Sequence, residues 1–153
     1  MIRDLGNPQD VTWIGRHWSD WMDLYQALER ASGPGHQPGI YRLRDVRSAK
    51  ALLYIGESND IRSRLFQLRN AMRKVAAGAP QGPPHWAGAC ILYHERQGAK
   101  IEVSWLLEMI PGEAERKGLE CEYIAAHRWV TGQNPDCQFV AISRKLKIRN
   151  DFA

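Results

Sequence analysis

Two tripeptides of similar composition, "GIY" at 39–41 and "YIG" at 54–56, place a tyrosine and a glycine together on predicted strands. Two charged side chains that border apolar helix faces follow them, Arg64 and Glu120. A guanidinium can bind two phosphate oxygens at once and stays charged at any working pH. A carboxylate can hold one Mg²⁺ or Mn²⁺ ion and leave most coordination positions to water and substrate. These residue types suit the hydrolysis of a phosphodiester.

Three predicted elements must position these residues. Residues 39–44 and 51–56 are expected to form a β-hairpin around the polar turn "DVRSAK". A helix is expected to start near Asp60, with Ser58 or Asn59 as its N-cap. Its apolar stripe consists of Ile61, Leu65, Leu68, Met72 and Val75. A later helix, which carries Glu120, is expected over 111–130 and begins with acidic residues that suit the positive end of its dipole.

The rest of the chain predicts a small mixed fold. A helix is expected over 19–31, capped by Ser19 or Asp20, and strands are expected over 87–95 and 100–110. The stretch 137–153 fits either a final strand or an ordered tail. The order of helix, two strands, helix, two strands and helix indicates an α/β (α+β) fold, with a small, mostly antiparallel central sheet flanked by helices.

Over roughly residues 36–140 the chain resembles the GIY-YIG nucleases. Both tripeptides are present, with a hairpin turn between them, and Gly39 and Gly56 are their glycines. The family's arginine comes eight residues after the second glycine, which here is Arg64. Its acidic metal ligand opens a Glu-x-x-x-Ile pattern on a later helix, which here is Glu120 in "LECEYI".

The resemblance implies a role for each of these side chains. Tyr54 would take a proton from the attacking water, and Tyr41 would orient the site. Glu120 would bind the Mg²⁺ or Mn²⁺ ion that neutralises the departing oxygen. Many members carry a histidine where this chain has Leu68, and an asparagine where it has Gln138, whose amide can also donate and accept near a phosphate.

Two histidines are further candidates for the general base. His85 precedes the predicted strand at 87–95, and its ring can change protonation near neutral pH. His36, three residues before Gly39, is a weaker candidate. His94 and His127 are expected to be structural or exposed.

Basic residues concentrate in two segments, 62–74 and 144–149. The chain as a whole has a net charge of +4 and a predicted pI of about 9.1. Concentrated charge suits a polyphosphate partner better than scattered charge. Solvated helix charge is the alternative for the first segment. The predicted nucleic-acid contacts are Arg62, Arg69, Arg73, Lys74, Gln138, Arg144 and Lys145.

The tryptophans suggest how the core is packed, and the cysteines suggest the cellular compartment. Trp13, Trp18 and Trp21 could stack on unpaired bases, but their helical spacing favours core packing. The three cysteines have wide spacing and no C-x-x-C, so neither a disulfide framework nor a zinc module is predicted. Three buried thiols, no apolar leader and no bilayer-length apolar run indicate a cytoplasmic location.

The sequence therefore predicts a metal-dependent endonuclease that leaves 5′-phosphate and 3′-hydroxyl ends, as the resemblance implies. Its predicted parts are a Trp-rich helical extension over 1–35, a nuclease core over 36–140 and a basic tail over 141–153. Double- or single-stranded DNA is the expected partner, with no membrane, and a homodimer could cut both strands with one site each. Restriction, repair and single-strand-selective roles stay open. The alternatives are a nucleic-acid-binding module that has lost catalysis and a subunit that needs a partner for activity.

Overall fold

The computed structural model describes residues 4–29, 31–78 and 87–139. Within these ranges the chain forms short strands near its start, then strands and helices that alternate irregularly. The strands are β1 (Thr12–Trp13), β2 (Arg16–His17), β3 (Met22–Asp23), β4 (Gly39–Asp45), β5 (Tyr54–Ser58) and β6 (Ile101–Trp105). The helices are α1 (Leu24–Glu29), α2 (Ile61–Ala76), α3 (Ala87–Arg96) and α4 (Glu113–Thr131).

An antiparallel four-stranded sheet in the order β3-β6-β4-β5 forms the centre of the fold, and β1 pairs with β2 in a separate ribbon. The predicted mixed fold, with a small antiparallel sheet flanked by helices, is confirmed. In the hairpin, Tyr41 lies opposite Gly56 and Leu43 lies opposite Tyr54. The second strand begins at Tyr54, three residues later than predicted, so the turn is longer.

Helices cover both faces of this sheet. One core joins the Tyr41 and Leu43 side of β4 to α1, α2 and α3. The other joins Ile40 and Ile55 on the opposite side to α4 and to the N-terminal segment. Because successive side chains of a strand point to opposite faces, each strand of the hairpin contributes to both cores. The sheet therefore holds α2 and α4 on opposite sides of the same two strands.

The N-terminal tryptophans belong to the second core. Trp13 and Trp18 are only 1% and 2% exposed, and their rings lie 4.8 and 5.1 Å from the Tyr123 ring of α4. The prediction that they pack in the core is confirmed. Trp21 is half-buried, and its ring lies 4.5 Å from the guanidinium of the buried Arg42. The N-terminal segment thus shares the sheet and the core of the rest of the chain.

The predicted helix over 19–31 is wrong at its start. Met22 and Asp23 form a strand that pairs with β6, and the helix begins only at Leu24. The Asp23 carboxylate caps it by accepting from the backbone N–H groups of Tyr25 and Gln26, so neither Ser19 nor Asp20 is the cap. Pairing with a strand about eighty residues away outweighs the local helical spacing.

The predicted strand over 87–95 is also wrong, because residues Ala87–Arg96 form helix α3. Six consecutive residues at its start are buried, so neither helical nor strand periodicity is visible in the sequence. The following strand is shorter than predicted and covers Ile101–Trp105 only. The helices around Arg64 and Glu120 are confirmed, although Asp60 is the residue that caps α2, accepting from the Ser63 N–H.

The predictions of no disulfide and of three buried thiols are wrong. Cys90 and Cys137 are paired as a disulfide across 47 residues, and Cys121 is exposed. Because the cysteines are far apart in the sequence, their positions gave no sign that α3 contacts the segment after α4. In the described ranges, no helix combines the length and the apolar character needed to cross a membrane.

Candidate functional site

The two motif tyrosines lie on the same face of the hairpin. Tyr41 faces Gly56 across the ladder, and Tyr54 precedes Gly56 by two residues, so the phenols are diagonal neighbours. Their ring centroids are 6.0 Å apart, with the planes tilted by 41°. Tyr41 is almost fully buried, whereas Tyr54 is partly exposed. The sheet thus brings the two hydroxyl groups together and leaves one open to solvent.

Gly56 is required by the position of the Tyr41 ring. A Cβ atom at residue 56 would lie 2.6 Å from both Cζ and Oη of Tyr41, closer than real side chains approach. The ring therefore crosses directly over the backbone of β5. At Gly39 a Cβ atom would lie 3.2 Å from Cδ1 of Ile61, which tightens the contact between the hairpin and α2. Both motif glycines thus permit a close approach.

Arg64 and Glu120 lie on helices that pack on opposite faces of the sheet, and both are near enough to this tyrosine pair to act on it electrostatically. Arg64 lies in the first turn of α2, and Glu120 lies in the middle of α4. Both are half-buried. Each acts electrostatically on both phenols, and Arg64 also acts on Glu120. The structure therefore brings together the four side chains that the sequence selected.

Burial governs the ionisation of the phenols. It raises the pKa of Tyr41 well above the ordinary value, and it raises the pKa of Tyr54 to about 12. The Glu120 carboxylate raises the pKa of Tyr54 further, while Arg64 and the hydrogen bond from Tyr41 lower it. Arg64 favours the phenolate form of both tyrosines, but burial outweighs its effect on their pKa values. Neither phenol is ionised at neutral pH in the free chain.

Glu120 is held in an unfavourable environment for a carboxylate. Burial and the neighbouring charge of Glu57 raise its pKa to about 7, although Arg64 and Lys117 oppose the shift. Two carboxyl groups that repel one another and offer hard oxygen donors are the ligands that Mg²⁺ and Mn²⁺ prefer. The donor set at this end of the site therefore fits such an ion.

Glu57 is the residue of the site that the sequence did not reveal. It directly follows Gly56, but nothing in "YIGES" separates it from an ordinary polar strand residue. Its Oε2 accepts from Nε of the buried Arg116, 2.9 Å away, and Arg116 also donates to the carbonyls of Ile110 and Pro111. Arg116 thus fixes the Glu57 carboxylate, and the pair spans 59 residues of sequence.

The basic residues of α2 have several local contacts. Arg62 donates to the carbonyl oxygens of Leu28 and Pro34, which ties the helix to the chain before the hairpin. Arg69 lies over the Phe66 ring at 4.8 Å. Arg73 and Lys74 are exposed in the last helical turn, where cations suit the negative end of the dipole. The role of all four in nucleic-acid binding stays a prediction.

The Gln138 side chain hydrogen-bonds to the backbone of β5. Its Oε1 accepts from the N–H of Ile55 and its Nε2 donates to the Ile55 carbonyl, both at 3.0 Å. Gln138 is itself buried, at 8% exposure. The amide is therefore used to position the strand that carries Tyr54, and it does not point to solvent as the predicted phosphate contact would require.

His36 and His127 lie in different parts of the fold. His36 is exposed, and its Nδ1 lies 2.9 Å from the Asp60 carboxylate at the start of α2. His127 is fully buried, and its Nε2 accepts from the Leu52 N–H. His85, Arg144 and Lys145 lie outside the described residues.

Comparisons of the chain with known protein families, with curated proteins and with solved structures find no match.

Proposed function

We propose that the chain is a metal-dependent endonuclease of the GIY-YIG type that hydrolyses phosphodiester bonds in DNA. The observation that carries the proposal is that Arg64 and Glu120, from helices on opposite faces of the sheet, both act electrostatically on one pair of phenols. A core packing arrangement alone does not require a cation, two carboxylates and two hydroxyl groups in one partly open place.

The side chains at the two ends of the site have different proposed roles, phosphate binding at one end and metal binding at the other. Arg64 binds the scissile phosphate and stabilises the charge that grows on its oxygens in the transition state. Glu120, with Glu57 beside it, would hold Mg²⁺ or Mn²⁺. When bound, the ion supplies charge neutralisation for the departing 3′-oxygen. The product ends would be a 5′-phosphate and a 3′-hydroxyl, as in the family that the sequence resembles.

Tyr54 is the proposed acceptor of the water proton. It is the phenol with access to solvent, and Arg64 and the Tyr41 hydroxyl both favour its ionised form. Tyr41 is buried beneath the site and orients Tyr54 through that hydrogen bond. Burial causes most of the rise in the pKa of Tyr54, and a bound cation near Glu120 would offset the smaller contribution of the Glu120 charge.

A nucleic-acid-binding module without catalysis is the second candidate function. It is favoured by the pKa of about 12 for Tyr54, because a neutral phenol does not activate water. Such a module would retain Arg64 as a phosphate contact. It would bind nucleic acid and leave it intact under every metal condition.

Cleavage of a substrate panel separates these functions. Labelled double-stranded DNA, single-stranded DNA and RNA are incubated with the pure chain in Mg²⁺, Mn²⁺ or EDTA, beside an identically purified Glu120→Gln variant. We expect cleavage of at least one DNA substrate with metal, none with EDTA, and a large loss in the variant. Binding of DNA without cleavage under all conditions would favour the binding module. Cleavage that persists in the variant would reveal a contaminating nuclease and overturn the proposal.

A further inference from the structure

A second cluster of metal-ligating side chains lies away from the tyrosine pair. Cys90 and His94 belong to α3, and Asp136 and Cys137 follow α4. One ligand atom from each of the four lies within 4.8 Å of those from the other three. Cys90 and His94 are four residues apart on a helix, so both face the same way. Asp136 and Cys137 are consecutive, and their backbone N–H groups donate to the carbonyls of Leu52 and Leu53, just before β5.

A disulfide alone does not explain this arrangement. It needs only Cys90 and Cys137, yet an imidazole and a carboxylate also converge on the two sulfur atoms. Nε2 of His94 is directed at Oδ2 of Asp136, to which it is hydrogen-bonded. Two sulfurs, one ring nitrogen and one carboxylate oxygen are all ligand types that tetrahedral zinc accepts.

Geometry and access also suit a zinc ion. With Zn–S near 2.3 Å and Zn–N near 2.0 Å, ligand atoms of a tetrahedral site lie roughly 3.3–3.8 Å apart. The four donor atoms all lie within 4.8 Å of one another, which is close to that spacing. The cysteines are buried at 1% and 2% exposure, while the side chains of His94 and Asp136 are 22% and 38% exposed. The polar ligands therefore form the entrance.

We propose that, in the reduced chain, Cys90, His94, Asp136 and Cys137 bind one zinc ion. Reduction of the disulfide takes two electrons and two protons, which two small-molecule thiols supply as they become a disulfide. Zinc then displaces both protons from the thiols, and the two thiolates bind it. This proposal is independent of the nuclease function, because it concerns different residues and a softer metal.

The consequence of zinc binding is structural. The segment that carries Asp136 and Cys137 is hydrogen-bonded to β5 and the residues before it, since the Cys137 N–H donates to the Leu53 carbonyl at 2.7 Å. The next residue, Gln138, holds Ile55. Zinc would link α3 to this segment and so fix the backbone on both sides of Tyr54.

Metal titration of the reduced, metal-stripped full chain tests the proposal. Co²⁺ is added without oxygen as a spectroscopic probe, and Zn²⁺ is then added to displace it. We expect thiolate charge-transfer bands and the visible bands of a tetrahedral ion that saturate at one Co²⁺ per chain, and one Zn²⁺ should abolish both sets of bands. A reduced chain that gives no such bands would overturn the proposal.

Matched variants identify the ligands. Cys121→Ser removes the cysteine outside the cluster, and His17→Asn removes an exposed histidine on β2, so both should bind zinc like the unmodified chain. Cys137→Ser and His94→Asn should each weaken binding more than about 100-fold, since even outer-shell partners are typically worth 10–100-fold. His94 is partly exposed, so His94→Asn is expected to fold. Unchanged zinc affinity in that variant would also overturn the proposed site.

Discussion

Gly56 illustrates how one residue determines the geometry of the phenols. The Tyr41 ring occupies the space where any side chain at residue 56 would begin. Gly56→Ala should therefore displace the ring from Tyr54 and destabilise the fold by about 1–3 kcal/mol, the usual cost of overpacking. Misplacement of a reacting group by about 1 Å can lower a rate on the order of 100-fold, and we expect a loss of that size in DNA cleavage.

Gly118→Ala is the matched control for this substitution. Gly118 lies in α4, and a Cβ atom there would meet nothing within 4 Å. Alanine should stabilise the helix by about 0.5–1 kcal/mol and leave cleavage unchanged. Urea unfolding and cleavage rates of the two variants check the prediction. Equal stability of both variants would mean that Tyr41 does not lie over β5.

Glu120 should link stability to pH. Its pKa is about 7 in the folded chain, against an ordinary value of 4.5, so the unfolded state ionises more readily. The stability associated with protonated Glu120 is complete below about pH 4.5 and is lost as the pH rises through 7. Glu120→Gln should therefore stabilise the chain at pH 8, on the order of 1–2 kcal/mol after allowance for solvent screening, and have little effect at pH 4.

The same substitution should abolish stabilisation by metal. Mg²⁺ binds the ionised carboxylate, so it should raise the unfolding midpoint of the unmodified chain at pH 8 much more than at pH 6. In Glu120→Gln this rise should disappear. Thermal unfolding with Mg²⁺ or EDTA at the two pH values measures the effect. A variant that Mg²⁺ still stabilises would place the ion elsewhere.

At the scale of the elements, Gln138 shows how a side chain can act as part of a strand. Ile55 is fully buried, and both of its backbone polar groups depend on the Gln138 amide. Gln138→Ala would leave these two groups without this partner, and it should lower the free energy of unfolding by about 1–3 kcal/mol. Gln67→Ala, at an exposed position of α2, should cost almost nothing. A Gln138→Ala variant of normal stability but weak DNA binding would instead support the predicted phosphate contact.

The two long helices and the β4–β5 hairpin were the elements that the sequence could predict. The apolar stripe of α2 is fully buried in the structure, and Gly132 ends α4 in the left-handed conformation that a glycine favours. Local sequence patterns do not predict an element whose secondary structure depends on packing against distant residues. β3 exists because Met22 pairs with Val103, and α3 is buried around most of its surface, so its sequence lacks a polar face.

At the scale of the whole molecule, the motif spacing predicted which side chains the fold brings near the two phenols, but not the other charged groups beside them. Tyr41, Tyr54, Arg64 and Glu120 were predictable because each stands at a fixed place in a resembling pattern. Glu57 and Arg116 form an ion pair between distant parts of the chain, and Cys90 and Cys137 meet in the same way. Such pairs follow from packing, which no local spacing encodes.

The single-turnover cleavage rate of Arg64→Ala tests most directly whether Arg64 and Glu120 serve one scissile phosphate. The comparison uses the preferred DNA substrate with saturating Mg²⁺. Arg128→Ala, which removes an exposed arginine from the last turn of α4, is the control. We predict a rate about 10²–10³-fold lower for Arg64→Ala, the usual effect of removing one transition-state donor, and an unchanged rate for Arg128→Ala. A rate within threefold of the unmodified chain for Arg64→Ala would contradict the account.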